Sequence, residues 1–181
     1  MPTLMTVCTG NICRSPAGEL LLREYVGDLA SVTSAGTYGL EGHGIPTEML
    51  EHLAADGIDG TSHRGQLLTP ALMAQADIVI AMTVEHRRDA VQLHPAALRK
   101  TFTLAELAAS AGTGAELLGD TPAERLADIP RAVAAHRQVL AGYELDDVPD
   151  PYRRGRAAYA ESYGLISRAV TEIAAWIRAE S

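Results

Sequence analysis

The sequence predicts an α/β protein with a small, doubly wound sheet of four parallel strands flanked by helices. Short apolar segments of strand length alternate with longer segments that repeat apolar residues at helical spacing. One of the short segments, residues 78–82, is continuously apolar, which is typical of a parallel strand covered on both faces. Sheets of this class bind ligands beyond the carboxyl ends of their strands, so we expect the functional site at that edge.

The first part of the chain predicts a strand, a turn, a helix and a second strand. The first strand spans residues 4–8 and is followed by a Gly-Asn turn. Ser15 then predicts an N-cap, because serine caps helices and Pro16 suits the first helical position. A second strand over residues 31–35 ends at Gly36.

The middle of the chain continues the alternation of helices and strands. Thr69 and Thr83 are each placed to cap a helix, and Gly57 is a stop signal. The pattern predicts helices over residues 47–56, from 70 onward, 84–93 and 104–109, with strands over 78–82 and 100–103.

The last third of the chain is predicted to be a loop followed by helices. Glycines and threonines over residues 110–121 indicate the loop, and Pro122 and Pro130 divide the next segment into two helical pieces. The final helix carries an apolar stripe at helical spacing. Its members are Tyr159, Tyr163, Ile166, Val170, Ile173 and Ile177.

Composition and charge narrow the class of protein. With 181 residues, 47% hydrophobic and 21% charged, the chain is expected to form a single domain over residues 1–181. No apolar run approaches the ~20 residues that a membrane-spanning helix needs. The net charge of −8 disfavours nucleic acid and anionic lipid as partners. The first residues lack the features of a secretory signal, so we expect a cytoplasmic protein.

The most informative segment connects the first strand to the first helix. It places a thiol, Cys8, at the strand end, then five intervening residues, then Arg14 and Ser15 at a helix N-terminus. Backbone N–H groups, the positive end of the helix dipole and a guanidinium would together hold an oxyanion. The same surroundings stabilise a thiolate, which makes Cys8 a candidate nucleophile. Gly10 admits close approach of a ligand, and Asn11 tolerates a left-handed conformation.

These residues resemble the low-molecular-weight protein tyrosine phosphatases. The segment from Val7 to Pro16 is similar to the whole signature of that family. Further similar segments are Ser34-Ala35-Gly36-Thr37, Gly57-Ile58 followed by Ser62-His63, and Asp150-Pro151-Tyr152. The resemblance implies a flavodoxin-like fold with strand order 2-1-3-4, and it leaves residues 110–143 as an insertion that is atypical of the family.

The resemblance also implies roles for individual residues. Cys8 would be the nucleophile, Arg14 would bind phosphate and stabilise the transition state, and Asp150 would be the general acid. Ser15 would stabilise the Cys8 thiolate as it leaves. The residues that would contact substrate are Thr9, Gly10, Asn11, Ile12, Cys13, Ser15 and Tyr152. A supporting network would join Asn11 and Ser15 to Ser34 and His63.

The resemblance implies an enzyme that needs no cofactor and no metal. Its partners would be a phosphorylated protein substrate and a cognate tyrosine kinase, and the protein would be a monomer or a weak dimer. The six histidines show no spacing typical of a metal site, and two cysteines are too few for one. Most of the histidines are expected to be surface or packing residues.

Three candidates for the general acid lie close together in the sequence: Asp146, Asp147 and Asp150. We choose Asp150 because Pro151 stiffens its backbone and Tyr152 supplies an aromatic neighbour, whereas the adjacent pair Asp146 and Asp147 is typical of a solvated loop. A general acid in this place would contribute ~10²–10⁴ in rate. Asp147 is the substitute if Asp150 does not serve.

Three other functions stay open. A branch of the same family dephosphorylates arginine and tends to carry threonine where Ile12 stands, and the apolar Ile12 favours an aromatic ring instead. An arsenate reductase of the same fold would need relay cysteines beyond Cys13. A non-catalytic phosphate-binding module would lose Cys8 or Asp150, and both are present.

The chain also departs from the family pattern. Leu40 stands where an aromatic residue is common, with Tyr38 two positions earlier, and Gln66 stands where an arginine is common. Arg153-Arg154-Gly155 replaces the usual turn after Tyr152, and these arginines either attract acidic substrates or form a solvated loop.

Cys13 has two interpretations. Its closeness to a reactive thiolate suggests a protective Cys8–Cys13 disulfide, and a small buried residue beneath the loop is the alternative.

Overall fold

The computed structural model describes residues 1–179 and contains one four-stranded sheet in that part of the chain. The strands are β1 (Thr3–Cys8), β2 (Ser31–Gly36), β3 (Ile78–Ala81) and β4 (Thr101–Thr103). They run parallel in the order β2-β1-β3-β4. The predicted fold class and strand order are confirmed.

The helices connect and flank these strands. They are α1 (Arg14–Val26), α2 (Thr47–Ala55), α3 (Pro70–Gln75), α4 (Val84–Leu93), α5 (Leu104–Gly112), α6 (Pro122–Leu140) and α7 (Arg156–Arg178), with a 3-10 turn over Pro95–Lys100. Every helix predicted up to residue 109 is present with bounds shifted by a few residues. Within residues 1–179, no helix combines the length and the apolar character that a bilayer crossing requires.

Successive side chains of a strand point to opposite faces of the sheet, and both faces are packed against apolar residues. Leu4 and Cys8 of β1 belong to the larger apolar cluster, which includes residues of α1 and α7. Met5 and Val7 belong to a smaller cluster with Met73 of α3 and Ala90 of α4. The central strand is therefore fixed from both sides, and its carboxyl end is a rigid place for a site.

The prediction that Ser15 caps the first helix is wrong. The helix begins one residue earlier, at Arg14, and Cys13 stands at the N-cap without a side-chain capping bond. The Ser15 hydroxyl instead lies 3.0 Å from the Cys8 thiol and accepts from Asn11 Nδ2 at 2.9 Å. The Ser15 hydroxyl therefore belongs to a buried hydrogen-bond network with Cys8 and Asn11, and it does not cap the helix.

The predicted division at Pro130 is also wrong, because α6 runs through it from Pro122 to Leu140. A proline inside a helix removes one backbone hydrogen bond. Leu126, Ile129 and Val133 are buried on the core side of α6, and their burial stabilises the continuous helix. The helix α5 likewise extends to Gly112, so the predicted loop over 110–121 is shorter than expected.

Candidate active site

The segment between β1 and α1 lies at the carboxyl edge of the sheet, beside the central strand. Cys8 is the last residue of β1 and Arg14 is the first residue of α1. Both are buried, with 2% and 5% of their surfaces exposed. Because β1 pairs with β2 on one side and with β3 on the other, this is the position where the winding of the sheet reverses.

The backbone of residues 8–14 connects β1 to α1, and we call its N–H groups, which are the candidate donors to an anion, the ring of donors. Its carbonyl groups face neighbouring backbone, since those of residues 8, 9 and 10 accept from the N–H groups of Thr37, Tyr38 and Leu40 at 2.9 Å each. Within residues 1–179, no N–H group of residues 9–14 donates to a backbone carbonyl outside a helix or strand. Unpaired N–H groups at a helix N-terminus are a ready site for an anion.

Gly36, at the end of β2, lets the two loops approach each other. A Cβ atom at this position would lie 2.5 Å from the carbonyl oxygen of Thr9 and 2.9 Å from the backbone nitrogen of Asn11. Any side chain here would displace the ring of donors, so the sequence needs glycine at this point.

Asn11 holds the ring in shape from inside the protein. Its backbone is left-handed, with φ of 56°, and its side chain is fully buried. The Nδ2 group donates to Ser15 Oγ at 2.9 Å and to Ser34 Oγ at 2.7 Å, while Oδ1 accepts from the backbone N–H of Gln66 at 2.9 Å. These three bonds stabilise a conformation that is costly for most residues.

His63 and Ser34 continue this network, and Glu19 completes it. His63 Nε2 donates to the carbonyl oxygen of Asn11 at 2.8 Å. Ser34 Oγ donates to Glu19 Oε2, and His63 Nδ1 lies 3.9 Å from the same carboxylate. Sequence reasoning missed Glu19, although an acidic residue at a buried position of α1 is a signal that it has a specific partner.

The Cys8 thiol has one side-chain partner in the described residues, the Ser15 hydroxyl at 3.0 Å. Ser15 is fully buried and also receives the Asn11 amide, so its position is fixed. A hydroxyl at this distance stabilises negative charge on sulfur.

Arg14 and Asp150 face each other across the site. Arg14 donates through Nη1 to the carbonyl oxygen of Val148 at 3.1 Å, and its Nη2 lies 3.5 Å from Asp150 Oδ1. The Arg14 side chain is buried, whereas that of Asp150 is about half exposed. The chain segment before α7 therefore both anchors the guanidinium and places a carboxyl group beside it.

The other two candidate acids lie elsewhere. Asp147 Oδ1 accepts the backbone N–H of Val84 at 2.7 Å, at the beginning of α4. Asp146 lines a different cavity, beside Leu104 and Leu165. Of the three carboxylates, Asp150 alone lines the cavity that contains Cys8.

That cavity has a volume of about 250 Å³ and is open to solvent. Apolar and aromatic groups form its walls above the ring of donors, and Tyr38 and Tyr152 stand at its mouth, 74% and 40% exposed. The lining residues are Cys8, Thr9, Gly10, Ile12, Cys13, Arg14, Tyr38, Leu40, Asp150 and Tyr152. The shape suits an anion at the base and a flat apolar group above it.

Cys13 also lines the cavity, but its thiol is buried. Its sulfur lies 3.8 Å from the Tyr159 hydroxyl, and burial raises the pKa of this thiol to about 12. Both cysteines are free thiols. At neutral pH Cys13 is therefore protonated and a poor nucleophile.

His86 is a second residue that sequence reasoning missed. Its ring is buried, and Nε2 lies 2.8 Å from the hydroxyl of Thr9, inside the donor ring. Burial, together with the nearby Arg14 charge, lowers the pKa of His86 to about 4. The signal that points to this edge of the sheet is the position of His86 in the first turn of α4, the helix that follows β3.

Metal ligands do not gather anywhere in residues 1–179. No group of three or more histidine, cysteine, aspartate or glutamate side chains is arranged to hold an ion in that range. The candidate chemical groups of the site are the donor ring, the Cys8 thiol, the Arg14 guanidinium and the Asp150 carboxyl group.

A family profile and a curated relative both assign this chain to one protein family. A sequence profile described as low molecular weight phosphotyrosine protein phosphatase matches residues 3–111. A curated relative, a probable low molecular weight protein-tyrosine-phosphatase EpsP of Ralstonia nicotianae, is 30% identical over 175 residues, which cover 97% of this chain and 93% of that protein.

Solved structures agree with the sequence comparison. Vibrio vulnificus Wzb in complex with benzylphosphonate is 26% identical, with a TM-score of 0.71 and coverage of 96% of this chain and 97% of that one. The YwlE arginine phosphatase from Geobacillus stearothermophilus is 25% identical, with a TM-score of 0.71 and coverage of 96% and 91%. The chain belongs to the low molecular weight phosphotyrosine protein phosphatase family.

Proposed function

We propose that this protein hydrolyses phosphotyrosine in proteins, through a phosphocysteine intermediate on Cys8. One observation carries the proposal: Cys8, Arg14 and Asp150 line a single cavity together with residues of the donor ring, whose backbone N–H groups at residues 9–14 have no backbone acceptor in residues 1–179. A nucleophile, an oxyanion clamp and a proton donor are the three groups that cleavage of a phosphate ester requires.

In the first step, the thiolate of Cys8 attacks phosphorus and the bond from phosphorus to the phenolic oxygen breaks. The N–H groups of residues 9–14 and the guanidinium of Arg14 hold the three equatorial oxygens, where charge accumulates. Asp150, protonated at this stage, gives its proton to the leaving oxygen. The half-exposed position of Asp150 at the cavity wall suits a group that must meet the leaving oxygen.

In the second step, water attacks the phosphocysteine and the bond from sulfur to phosphorus breaks. Asp150, now ionised, accepts a proton from that water and returns to its starting state. The departing Cys8 thiolate is stabilised by the Ser15 hydroxyl, 3.0 Å from the sulfur. Phosphate then leaves the ring of donors.

The walls of the cavity favour an aromatic substrate. Ile12 and Leu40 present apolar surface, and the rings of Tyr38 and Tyr152 stand at the mouth. A phenyl ring gains more from such walls than the charged guanidinium of phosphoarginine does. The departure from the family at Leu40 leaves the apolar character of the wall unchanged.

The decisive experiment compares peptides that carry phosphotyrosine, phosphoserine or phosphoarginine, in buffer without metal. We expect turnover of phosphotyrosine above the other two, loss of turnover in Cys8→Ser with retained phosphate binding, and loss of both in Arg14→Ala. Faster turnover of phosphoarginine would replace the proposed substrate, and full activity of Cys8→Ser would overturn the mechanism.

The second candidate function is dephosphorylation of arginine, which the similarity to the YwlE arginine phosphatase favours. The substrate panel separates it from the first. Arsenate reduction would need a relay of thiols, whereas the chain has two cysteines and the second is a protonated, buried thiol.

We further propose that the protein acts in the cytoplasm on a phosphorylated protein, opposite a tyrosine kinase. Two free thiols, both of which line the cavity, suit a reducing compartment. Family membership supports a phosphoprotein as substrate.

A further inference from the structure

Two arginines, Arg153 and Arg154, directly follow Tyr152 of the cavity mouth, on the turn after Asp150. Tyr152 donates its backbone N–H to Asp150 Oδ1 at 3.3 Å, and Arg154 donates its own to the carbonyl oxygen of Pro151 at 3.0 Å. Arg153 has a left-handed backbone, with φ of 60°. The turn is therefore hydrogen-bonded into one shape, and a side chain that is strained in that shape occupies its tip.

The strained residue lies against the cavity wall. The Arg153 guanidinium carbon lies 5.1 Å from the centre of the Tyr152 ring, a cation–π arrangement that holds the charge beside the mouth. In residues 1–179, neither Arg153 nor Arg154 has a carboxylate within ion-pair distance, although the chain as a whole carries a net charge of −8. The two positive charges are thus available to something outside the chain.

We infer that Arg153 and Arg154 form a recognition surface for acidic residues next to the phosphorylated side chain of a protein substrate. The inference rests on the proposed function and names the class of substrate. With the phosphoryl group in the donor ring and the ring of the substrate beside Tyr152, the flanking residues of the peptide pass the Arg153 and Arg154 charges. Carboxylates at those positions gain Coulomb attraction and speed encounter with the enzyme.

The test uses two phosphotyrosine peptides of one length, with glutamate or with glutamine at every flanking position within three residues. The readout is the ratio of kcat/KM between the acidic and the neutral peptide. We expect a ratio of about five or more at low salt, a fall of severalfold in Arg153→Gln and Arg154→Gln, and a fall in the wild-type ratio as salt is raised.

Arg156→Gln is the matched control. It removes the same charge three residues away from Arg153, from a guanidinium that is already paired with Glu51 at 2.6 Å. The ratio should stay at the wild-type value in this variant. A ratio near one in the wild type, or equal falls in all three variants, would overturn the inference. If the wild-type protein did not hydrolyse a simple aryl phosphate, the proposed function itself would be overturned.

A second inference concerns His86, and a different observation carries it. The ring is 4% exposed, Nε2 lies 2.8 Å from Thr9 Oγ1, and Nδ1 has no hydrogen-bond partner among residues 1–179. Arg14, Asp89, Asp147 and Asp150 are the charged groups that act on this ring, and its pKa of about 4 keeps it neutral.

A neutral imidazole carries one N–H group, and its position can be deduced from the contacts. A buried N–H without an acceptor is costlier than a lone pair without a donor, so the proton belongs on Nε2, where it has a partner. His86 then donates to Thr9 Oγ1. The Thr9 hydroxyl then keeps its own proton for a second hydrogen bond. Because Thr9 lines the cavity, a bound ligand can accept that bond.

We propose that His86 is a positioning residue that turns the Thr9 hydroxyl toward a bound phosphoryl oxygen. Thr9→Val and His86→Leu should each lower kcat/KM by about tenfold and weaken inhibition by inorganic phosphate in parallel, as expected for loss of a hydrogen bond to a charged group. The double variant should be no worse than either single variant, because both remove one interaction.

His86→Gln tests the donor itself, since its amide can replace Nε2–H and should restore most of the kcat/KM that His86→Leu loses. This variant also serves if the leucine variant fails to fold, because Thr9→Val and His86→Gln can then be compared by phosphate inhibition. Losses that multiply in the double variant, or full activity of Thr9→Val, would overturn the proposal.

Discussion

At the scale of single residues, Asp150 is the proposed proton donor and its removal should depend on the leaving group. We expect Asp150→Asn to lower kcat/KM by ~10²–10⁴ for an aryl phosphate with a poor leaving group, and far less for one whose phenol is acidic. The measurement is the slope of log kcat/KM against the pKa of the leaving phenol, which should steepen in the variant.

Asp147→Asn is the control for this prediction. Its carboxylate accepts the backbone N–H of Val84 and lies outside the cavity, so the slope should match the wild type. An unchanged slope in Asp150→Asn together with a steeper slope in Asp147→Asn would assign the proton to Asp147.

The two cysteines should differ in reactivity. Burial raises the pKa of Cys13 to about 12, so at pH 7 its thiol carries almost no thiolate, while Cys8 lies in the donor ring beside Ser15. We expect iodoacetamide at pH 7 to label Cys8 and to spare Cys13, with inorganic phosphate protecting Cys8. Mass spectrometry of the labelled peptides checks this, and labelling of Cys13 at a similar rate would contradict it.

Much of the candidate site could be predicted from the sequence, because Cys8 and Arg14 belong to one short loop between a strand and a helix. Asn11, Ser15, Ser34 and His63 also come together as the network that the resemblance implies. Glu19 and His86 could not be predicted in the same way. Their partners, Ser34 and Thr9, lie 15 and 77 residues away, and only the packing of α1 and α4 against the sheet brings them close.

At the scale of elements, α6 shows how packing overrides a local rule. Pro130 costs the helix interior a hydrogen bond, yet apolar burial at Leu126 and Val133 keeps the helix continuous. Local signals identified every strand and most helix starts, because caps such as Thr69 and Thr83 act within one turn. Interruption of a helix depends on tertiary contacts, which the residue pattern around Pro130 does not contain.

Pro130→Ala should therefore stabilise the protein, by up to about 3 kcal/mol, because it restores a backbone donor inside α6. The free energy of unfolding in urea and the activity are both measured, and activity should stay constant, since α6 contributes no residue to the cavity. Pro122→Ala is the matched control at the first position of the same helix, where proline is well tolerated and little gain is expected. A loss of stability in Pro130→Ala would show that the ring itself packs favourably.

At the scale of the whole molecule, positive charges gather near the cavity although the protein has a net negative charge. The chain has a net charge of −8, yet the cavity contains Arg14, and Arg153 and Arg154 follow Tyr152 of its mouth. A local positive region on an acidic protein attracts an anionic substrate while the remaining surface repels nucleic acid. The composition alone predicts the repulsion of nucleic acid. The attraction of an anionic substrate depends on the fold, which places the arginines near the cavity.

Global stability should also respond to the burial of His86. The folded pKa is about 4 and the ordinary value is 6.5, so between these values the unfolded chain binds a proton that the folded chain does not. Stability is then fully retained above pH 6.5 and falls as the pH drops toward 4, with a slope of at most ~1.4 kcal/mol per pH unit from this one group. Glu124 and Asp128 have pKa values held low by hydrogen bonds, so their contribution is lost at still lower pH.

Urea unfolding at pH 7, 5.5 and 4.5 measures this dependence. In His86→Gln the free energy of unfolding should change less between pH 7 and 4.5 than in the wild type, because the variant has no ring to protonate on unfolding. His43→Gln replaces an exposed histidine and should behave like the wild type across the same pH range. Parallel curves for wild type and His86→Gln would mean that His86 is protonated in the folded protein, and a protonated ring, with an N–H on both nitrogens, would leave Nδ1–H buried without an acceptor.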